Sequence, residues 1–409
     1  MSTIGLIALD TWVPTSRLPR AFGRLGASVV ALLRSGAALA NSRDLMGFLV
    51  FSGNLLADLE QLICAYRPEA LVLCDHTAIR EVYALIGKTD LSKDLNSLLR
   101  WSLGEPSAHK IVTSKWETAV LARTLNIPVP QQQTIDDAPS VARSGYPVVL
   151  KKEGTYGGWG TLICRSDRQT LANYVALRCG GFWRPLRRFP WLSSTLYRLT
   201  HNRQKLDSNS LIIQHYHQGM PAYTAAVAHE GEMLGALAFV AECVHPHPTG
   251  TSTVVAGIES PAMLKATEAL IGATGYSGFI SIDFLIGEDD GIPYLLEINP
   301  RIVNAVRFSS IFGVDLCNLF LSSFTKTSVC AQASVDPPVG RISFYPDEWL
   351  RDWRSPYLLN TPSDVPYEDP KLLAAINRTL PFVRRAMLSC GIVGTLPKAV
   401  PLSEPSALP

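Results

Sequence analysis

The sequence predicts an α/β protein in three parts: a small N-terminal domain with a parallel sheet, a larger central α+β region, and a small C-terminal extension. Three observations carry this expectation. A chain of 409 residues exceeds what one hydrophobic core usually serves. Strand-like and helix-like stretches alternate up to about residue 105. From Ser107 the pattern changes to a helix followed by hairpins. The expected boundaries are 1–105, 106–330 and 331–409.

In the first part Ile4–Leu9 reads as a strand, Ser16–Leu25 as a helix, Val29–Leu33 as a strand, and Leu55–Tyr66 as a helix leading into the strand Ala70–Cys74. The most apolar early segment, Ala27–Ala40, is interrupted by Arg34 and Gly36, so it is a strand and a turn, too short to cross a membrane. The first strand-to-helix turn, Asp10–Pro14, lacks a GxGxxG fingerprint, which disfavours a dinucleotide there.

The central part opens with the helix Ser114–Leu125, which ends at Asn126 because Ile127-Pro128-Val129-Pro130 cannot continue it. Tyr146–Lys151 and Thr161–Cys164 are strands joined by the glycine-rich loop Gly154–Gly160. Further strands fall at Leu211–His215, Tyr223–His229, Met233–Ala241, Phe279–Ile286 and Pro293–Ile298, with a helix at Met263–Thr274. From about Val335 the chain is rich in proline and aromatics, then helical over Pro370–Met387, with an end, Pro401–Pro409, expected to be disordered.

Hydrophobic residues make up 47% and charged residues 18%, the balance of a folded chain and not of a disordered one. The 37 basic and 35 acidic residues nearly cancel, which argues against a nucleic-acid partner. The eight cysteines form no CxxC pair, and Cys74 and Cys164 lie in apolar strands, so buried free thiols are expected. Met1–Asp10 does not have the pattern of a signal peptide, which points to the cytoplasm.

Two segments carry chemistry. In the first, Tyr146-Pro147-Val148-Val149-Leu150-Lys151-Lys152-Glu153 runs into Gly154, Gly157, Gly158 and Gly160: a strand delivers a lysine beside a loop of free backbone N–H groups, as a polyphosphate requires. An ordinary glycine-rich hairpin is the alternative, and no Walker GK[ST] follows. In the second, Phe279–Ile286 turns at Asp289-Asp290-Gly291 into Tyr294-Leu295-Leu296-Glu297-Ile298-Asn299-Pro300-Arg301. Period-two alternation puts Glu297 and Asn299 on one strand face, and the hairpin folds Asp283 back beside them. Three oxygen ligands of this kind suit Mg²⁺. A solvated acidic strand end is the alternative, but unpaired carboxylates in such apolar strands are costly. Arg301, just beyond, could fork onto a phosphate or a carboxylate.

The glycine hairpin, followed about 130 residues later by the strand pair ending Glu-Ile-Asn-Pro-Arg, resembles the ATP-grasp superfamily over roughly residues 107–325. The spacing of Asp283, Glu297 and Asn299 is similar to that of its carbamoyl-phosphate-synthetase branch. The resemblance implies an N-terminal Rossmann-like pre-ATP-grasp domain, then a two-lobed ATP-grasp fold whose lid lobe spans about 130–215. It implies ATP and Mg²⁺ or Mn²⁺ as cofactors, with Asp283, Glu297 and Asn299 as metal ligands. Lys151 would meet the α-phosphate side, Gly157, Gly158 and Gly160 would close over the outer phosphates, and Lys115 would reach ATP from the other lobe. Gln214, His215, Tyr216 and His217 would form the linker that meets adenine, although Gly219-Met220-Pro221-Ala222 lacks the acid that often holds the ribose. His245–Thr253 resembles the loop approaching the γ-phosphate; His245 and His247 read equally as surface residues.

The implied reaction is ligation of a carboxylate to an amine, or to a thiol, through an acyl phosphate, with release of ADP and phosphate and with Arg301 and Lys151 as catalytic groups. A biotin-carboxylase-like carboxylating enzyme is a rival, though no Met-Lys-Met biotin motif occurs. A non-catalytic ATP-binding regulatory module is another, disfavoured because all three metal ligands are present. Small-molecule substrates are the expected partners, and a homodimer is compatible with them. The segment 178–205 departs from the pattern, with seven cations from Arg178 to Lys205, no acid, and interleaved aromatics; an acidic substrate, an acidic carrier or a membrane surface would suit it, as would a solvated helix pair. Substrate determinants are expected there and around Asp75 and His76.

Overall fold

A computed structural model describes residues 2–87, 91–135, 145–158, 160–178, 211–325 and 340–389. The basic segment beyond Arg178 and the end Pro401–Pro409 lie outside the described residues.

Period-two alternation splits the first strand, β1 (Thr3–Ala8), between two cores. Ile4, Leu6 and Ala8 enter one, and Ile7 enters the other with Leu9 just beyond the strand. The chain continues through α1 (Leu18–Gly23), β2 (Ser28–Leu33), β3 (Gly47–Val50), α2 (Leu55–Tyr66), β4 (Ala70–Leu73), α3 (His76–Ile86), α4 (Lys93–Leu103), α5 (Pro106–Thr113) and α6 (Lys115–Thr124). The expected helix Ser16–Leu25 is shorter than read: Pro14 starts a 3-10 turn, Val13–Arg17, and only Leu18–Gly23 is α-helical. The sheet is parallel in the order β3-β2-β1-β4. The chain walks outward from β1 to β3, then returns to the far side of β1, so the order reverses between β1 and β4. In open sheets of this kind, ligands bind in the crevice outside the C-terminal ends of the two strands at which the order reverses.

A second sheet is built from β5 (Gln132–Ile135), β6 (Val148–Lys152), β7 (Thr161–Cys164) and β8 (Leu211–His215), in the order β5-β8-β6-β7, with α7 (Asp167–Arg178) against it. Its core is small: Ile135, Val148, Leu150, Cys164, Leu177, Leu211 and Ile213.

The third sheet contains β9 (Gly219–His229), β10 (Glu232–His245), β11 (Thr251–Ile258), β12 (Gly278–Gly287) and β13 (Pro293–Asn299), with α8 (Pro261–Thr274) on one face. After a 3-10 helix, Asn304–Phe312, and α9 (Leu316–Thr325), the short strand β14 (Arg341–Ser343) completes the order β13-β12-β9-β10-β11-β14. One face packs on α1 and α9 through Phe22, Phe279 and Phe320. The other buries Ala226, Ala228 and Ile280 against Met263, Leu270 and Ile271. The strands run longer than the apolar runs that announce them, and Thr251–Thr253, read as loop, begin β11.

The extension adds α10 (Asp347–Arg351), α11 (Tyr357–Asn360), α12 (Pro370–Thr379) and α13 (Phe382–Ser389). The single helix expected over Pro370–Met387 is thus two, because Pro381 has no N–H to continue the first. Cys74, Cys164 and Cys317 are buried free thiols, whereas Cys64 is exposed on α2. Among the described residues no single helix is long and apolar enough to cross a membrane.

Candidate functional site

β12 and β13 pair antiparallel with Asp283 opposite Glu297 and Ser281 opposite Asn299. The register slips once, leaving Leu296 without a partner between Glu297 and Leu295. The Asn299 amide donates to Asp283 Oδ2 at 3.0 Å. The three expected oxygen donors do converge. Removal from water and the neighbouring Glu297 push the Asp283 carboxyl up to about 7. Removal from water acts the same way on Glu297, but Lys115 and Lys151 outweigh it and hold that carboxyl below its ordinary value.

Lys115 is the first residue of α6, and its Nζ lies 2.5 Å from Glu297 Oε2 while donating to Thr155 O at 2.8 Å. An ammonium therefore occupies a position between a carboxylate and a carbonyl, where a cation is favoured. Lys151, in β6, is buried, and desolvation lowers its ammonium to about 8 although Glu297 opposes the change. No group of three His, Cys, Asp or Glu forms among the described residues, so the candidate metal set is two carboxylates and one amide. Hard oxygen donors of this kind fit Mg²⁺ or Mn²⁺.

Glu153 was not singled out by the sequence. Its carboxylate accepts from Lys115 N, Trp116 N and Ser114 Oγ at 2.9–3.1 Å, capping α6 from a different sheet. No local signal marks it, since the partners are nearly 40 positions away.

The hairpin loop needs its glycines for two reasons. Gly157, Gly158 and Gly160 have φ of +59°, +72° and +77°, where an L side chain is strained. A Cβ on Gly158 would lie 1.6 Å from Thr249 O, so the tip packs directly on the loop between β10 and β11. That loop carries His247, exposed, while His245 ends β10 and is half-buried.

The linker residues sort differently from one another. Gln214 is buried in β8 with Oε1 lacking a partner among the described residues, and His215 is exposed. Tyr216 is half-buried, and the His217 ring lies 4.4 Å from Tyr294 of β13, which ties this segment to the strand pair β12–β13.

Arg301 follows β13 into the crevice between β1 and β4: Ile302 N donates to Leu73 O at 3.2 Å, and the guanidinium lies 4.7 Å over the Trp12 ring. Asp75 caps α3 through Ala78 N at 2.8 Å and accepts Asp10 N at 3.0 Å. Burial pushes its carboxyl up to about 6. His76 stacks on Tyr156 of the glycine loop at 4.1 Å, and burial, with Arg301 and Lys115 near, holds the imidazole well below its usual pKa. Among the described residues the buried His76 Nε2 and Arg301 Nε have no hydrogen-bond partner. The sequence pointed to Asp75 and His76; it did not point to Asp10, Trp12 or Tyr156.

No protein-family model and no curated protein matches the chain. Solved structures do match. A biotin carboxylase–β,γ-ATP complex from Campylobacter jejuni aligns with a TM-score of 0.60 at 13% identity, covering 83% of this chain and 74% of that one. N5-carboxyaminoimidazole synthetase from Staphylococcus aureus, complexed with ADP, aligns with a TM-score of 0.56 at 12% identity over 80% and 78%. L-amino acid ligase from Bacillus licheniformis gives 0.54 and 13% over 83% and 78%. At these identities the likeness concerns the fold.

Proposed function

The chain has the ATP-grasp fold, and from that premise we propose that it is an ATP-dependent ligase joining a carboxylate to an amine through an acyl phosphate. The observation that carries this is the meeting of Lys115, Lys151, Asp283, Glu297, Asn299 and Arg301 where the two sheets face each other. Asp283, Glu297 and Asn299 would hold a divalent cation, which when bound neutralises phosphate charge.

Lys151 and Lys115 hold the phosphates of ATP, and the N–H groups of Gly157, Gly158 and Gly160 close over them. A carboxylate oxygen of the substrate attacks the γ-phosphorus, the bond to ADP breaks, and Arg301 stabilises the oxygens of the transferred group. The amine nitrogen then forms a bond to the acyl carbon, and orthophosphate leaves. Closure of the glycine hairpin on the 245–251 loop excludes water, which would otherwise hydrolyse the acyl phosphate. Cytoplasmic placement and partner contact through 178–205 belong to this same reading.

Incubation with ATP, Mg²⁺ and a panel of carboxylates and amines tests it. ADP and orthophosphate are the expected products; AMP and pyrophosphate would show adenylation and remove the mechanism.

A further inference from the structure

Both signs of charge meet at the C-terminal ends of β1 and β4. The carboxylates of Asp10 and Asp75 are linked by the Asp10 N–H to Asp75 Oδ2 bond. Near them stand Arg301, over Trp12, and His76, against Tyr156. The buried Arg301 Nε and His76 Nε2 lack partners among the described residues, and an unpaired buried polar nitrogen costs free energy until a ligand meets it. Arg301 N also donates to Asn299 O at 2.8 Å, so the crevice adjoins the candidate metal ligands directly.

Resting on the ligase reading above, we propose that this crevice is the acceptor site, where Asp10 and Asp75 hold the attacking nitrogen as a primary ammonium while Arg301 and His76 hold the carboxyl group it attacks. Each set of charged groups then meets its electrostatic complement. A charged amine on two carboxylates is favoured by charge-assisted hydrogen bonds, and a carboxylate on Arg301 satisfies the open guanidinium nitrogen. In the transfer step the ammonium gives one proton to an aspartate carboxylate, and the freed lone pair forms the C–N bond. The C–O bond to phosphate breaks, its electron pair leaves with orthophosphate, and the second proton that the nitrogen loses goes to the departing phosphate oxygen. The crevice thereby selects for protonated primary amines over uncharged nucleophiles. Asp10 is the more accessible of the two acids: it is half-buried, with Oδ1 accepting only the adjacent Thr11 N–H among the bonds resolved for that atom.

Hydroxylamine, uncharged at neutral pH, intercepts an acyl phosphate as a hydroxamate and needs no ammonium site. Wild type and Asp10→Asn would be given ATP, Mg²⁺ and a carboxylate panel with either hydroxylamine or two protonated amines, ethylamine and L-alanine. The amide-to-hydroxamate ratio is expected to fall by about tenfold or more in Asp10→Asn. Asp75→Asn, whose amide oxygen still accepts from Ala78 N but whose NH2 no longer accepts from Asp10 N, should lower the ratio at least as much, and serves if Asp10→Asn does not fold. Asp10→Glu should recover part of it. A ratio unchanged in both Asn variants overturns the acceptor site while leaving the ligase reading standing. Absence of hydroxamate from the wild type with every carboxylate overturns the ligase reading and this assignment with it.

Discussion

The two halves of the candidate site rest on cores of different depth. The strands β12 and β13, which carry the candidate metal ligands, belong to a six-stranded sheet buried on both faces, with Phe239 and Phe279 on one side and Ile280 and Ile282 on the other. The glycine hairpin belongs to a four-stranded sheet with one small core around Val148, Leu150 and Ile213. Local opening follows buried apolar contact, so the first half is the rigid reference and the second the part that yields. Under the proposed function this division is apt, because metal-binding oxygens need fixed spacing whereas a lid must admit and release nucleotide. Lys115 joins the halves, reaching Glu297 on the deep sheet and Thr155 on the hairpin.

The sharpest test of this contrast is Glu297→Gln. It changes a ligand on a strand that packing already holds, so turnover should fall by about 10²–10³-fold while the melting temperature changes little. ATP-dependent ADP release and thermal unfolding read the two quantities, and wild-type-like turnover would remove Glu297 from the metal set. Lys151→Met, on the shallow half, should cost on the order of 10²-fold in the same assay. Its melting temperature should hold or rise, because a buried ammonium is replaced by an apolar chain of similar length.

A pH series on metal-free protein probes the deep half by itself. The Asp283 carboxyl, pushed up to about 7, keeps a proton in the folded state that the unfolded chain has released above its ordinary value of 3.8. Folded stability should therefore decline as pH rises through that window, by on the order of 1–3 kcal/mol. Asp283→Asn should flatten the slope, and denaturant midpoints at pH 5 and pH 8 with EDTA present would show it. An equal slope in the variant would mean that other groups set the decline.

The smallest expected effect separates two adjacent glycines. Gly158→Ala drives a methyl into Thr249 O and should lift the hairpin tip, lowering turnover about tenfold. Gly157→Ala meets nothing nearer than Thr251 Cγ2 at 3.6 Å and bears only the left-handed strain of its φ, about 1 kcal/mol. Equal losses in the two would show that backbone strain, and not the contact with Thr249, governs the lid.

Much of the candidate site was legible because its residues lie close in sequence on regular strands. Alternation along β13 placed Glu297 with Asn299, and the turn at Asp289-Asp290-Gly291 returned the chain so that Asp283 came opposite Glu297. The glycine run beside Lys151 was likewise a local signal, and β7, β8 and the end of α8 fall where apolar runs and turn residues put them. The slip at Leu296 was not legible, since a bulge depends on how the partner strand fits. Nor was the division of the helix expected at Pro370–Met387, although Pro381 was a visible reason for it.

By itself, then, the sequence determined the strands, the glycine turn and the order of the ligands along them, because period-two burial and positive φ act over a few neighbouring residues. Only the tertiary structure decided that Glu153 caps α6, that Arg301 lies over Trp12, and that Asp10 meets Asp75 in the crevice between β1 and β4. Those pairings join positions about 40 to 290 apart, and no local pattern encodes them. They follow from the order of strands in the parallel sheet and from the burial of one sheet against another, which bring the ends of distant strands to the same place.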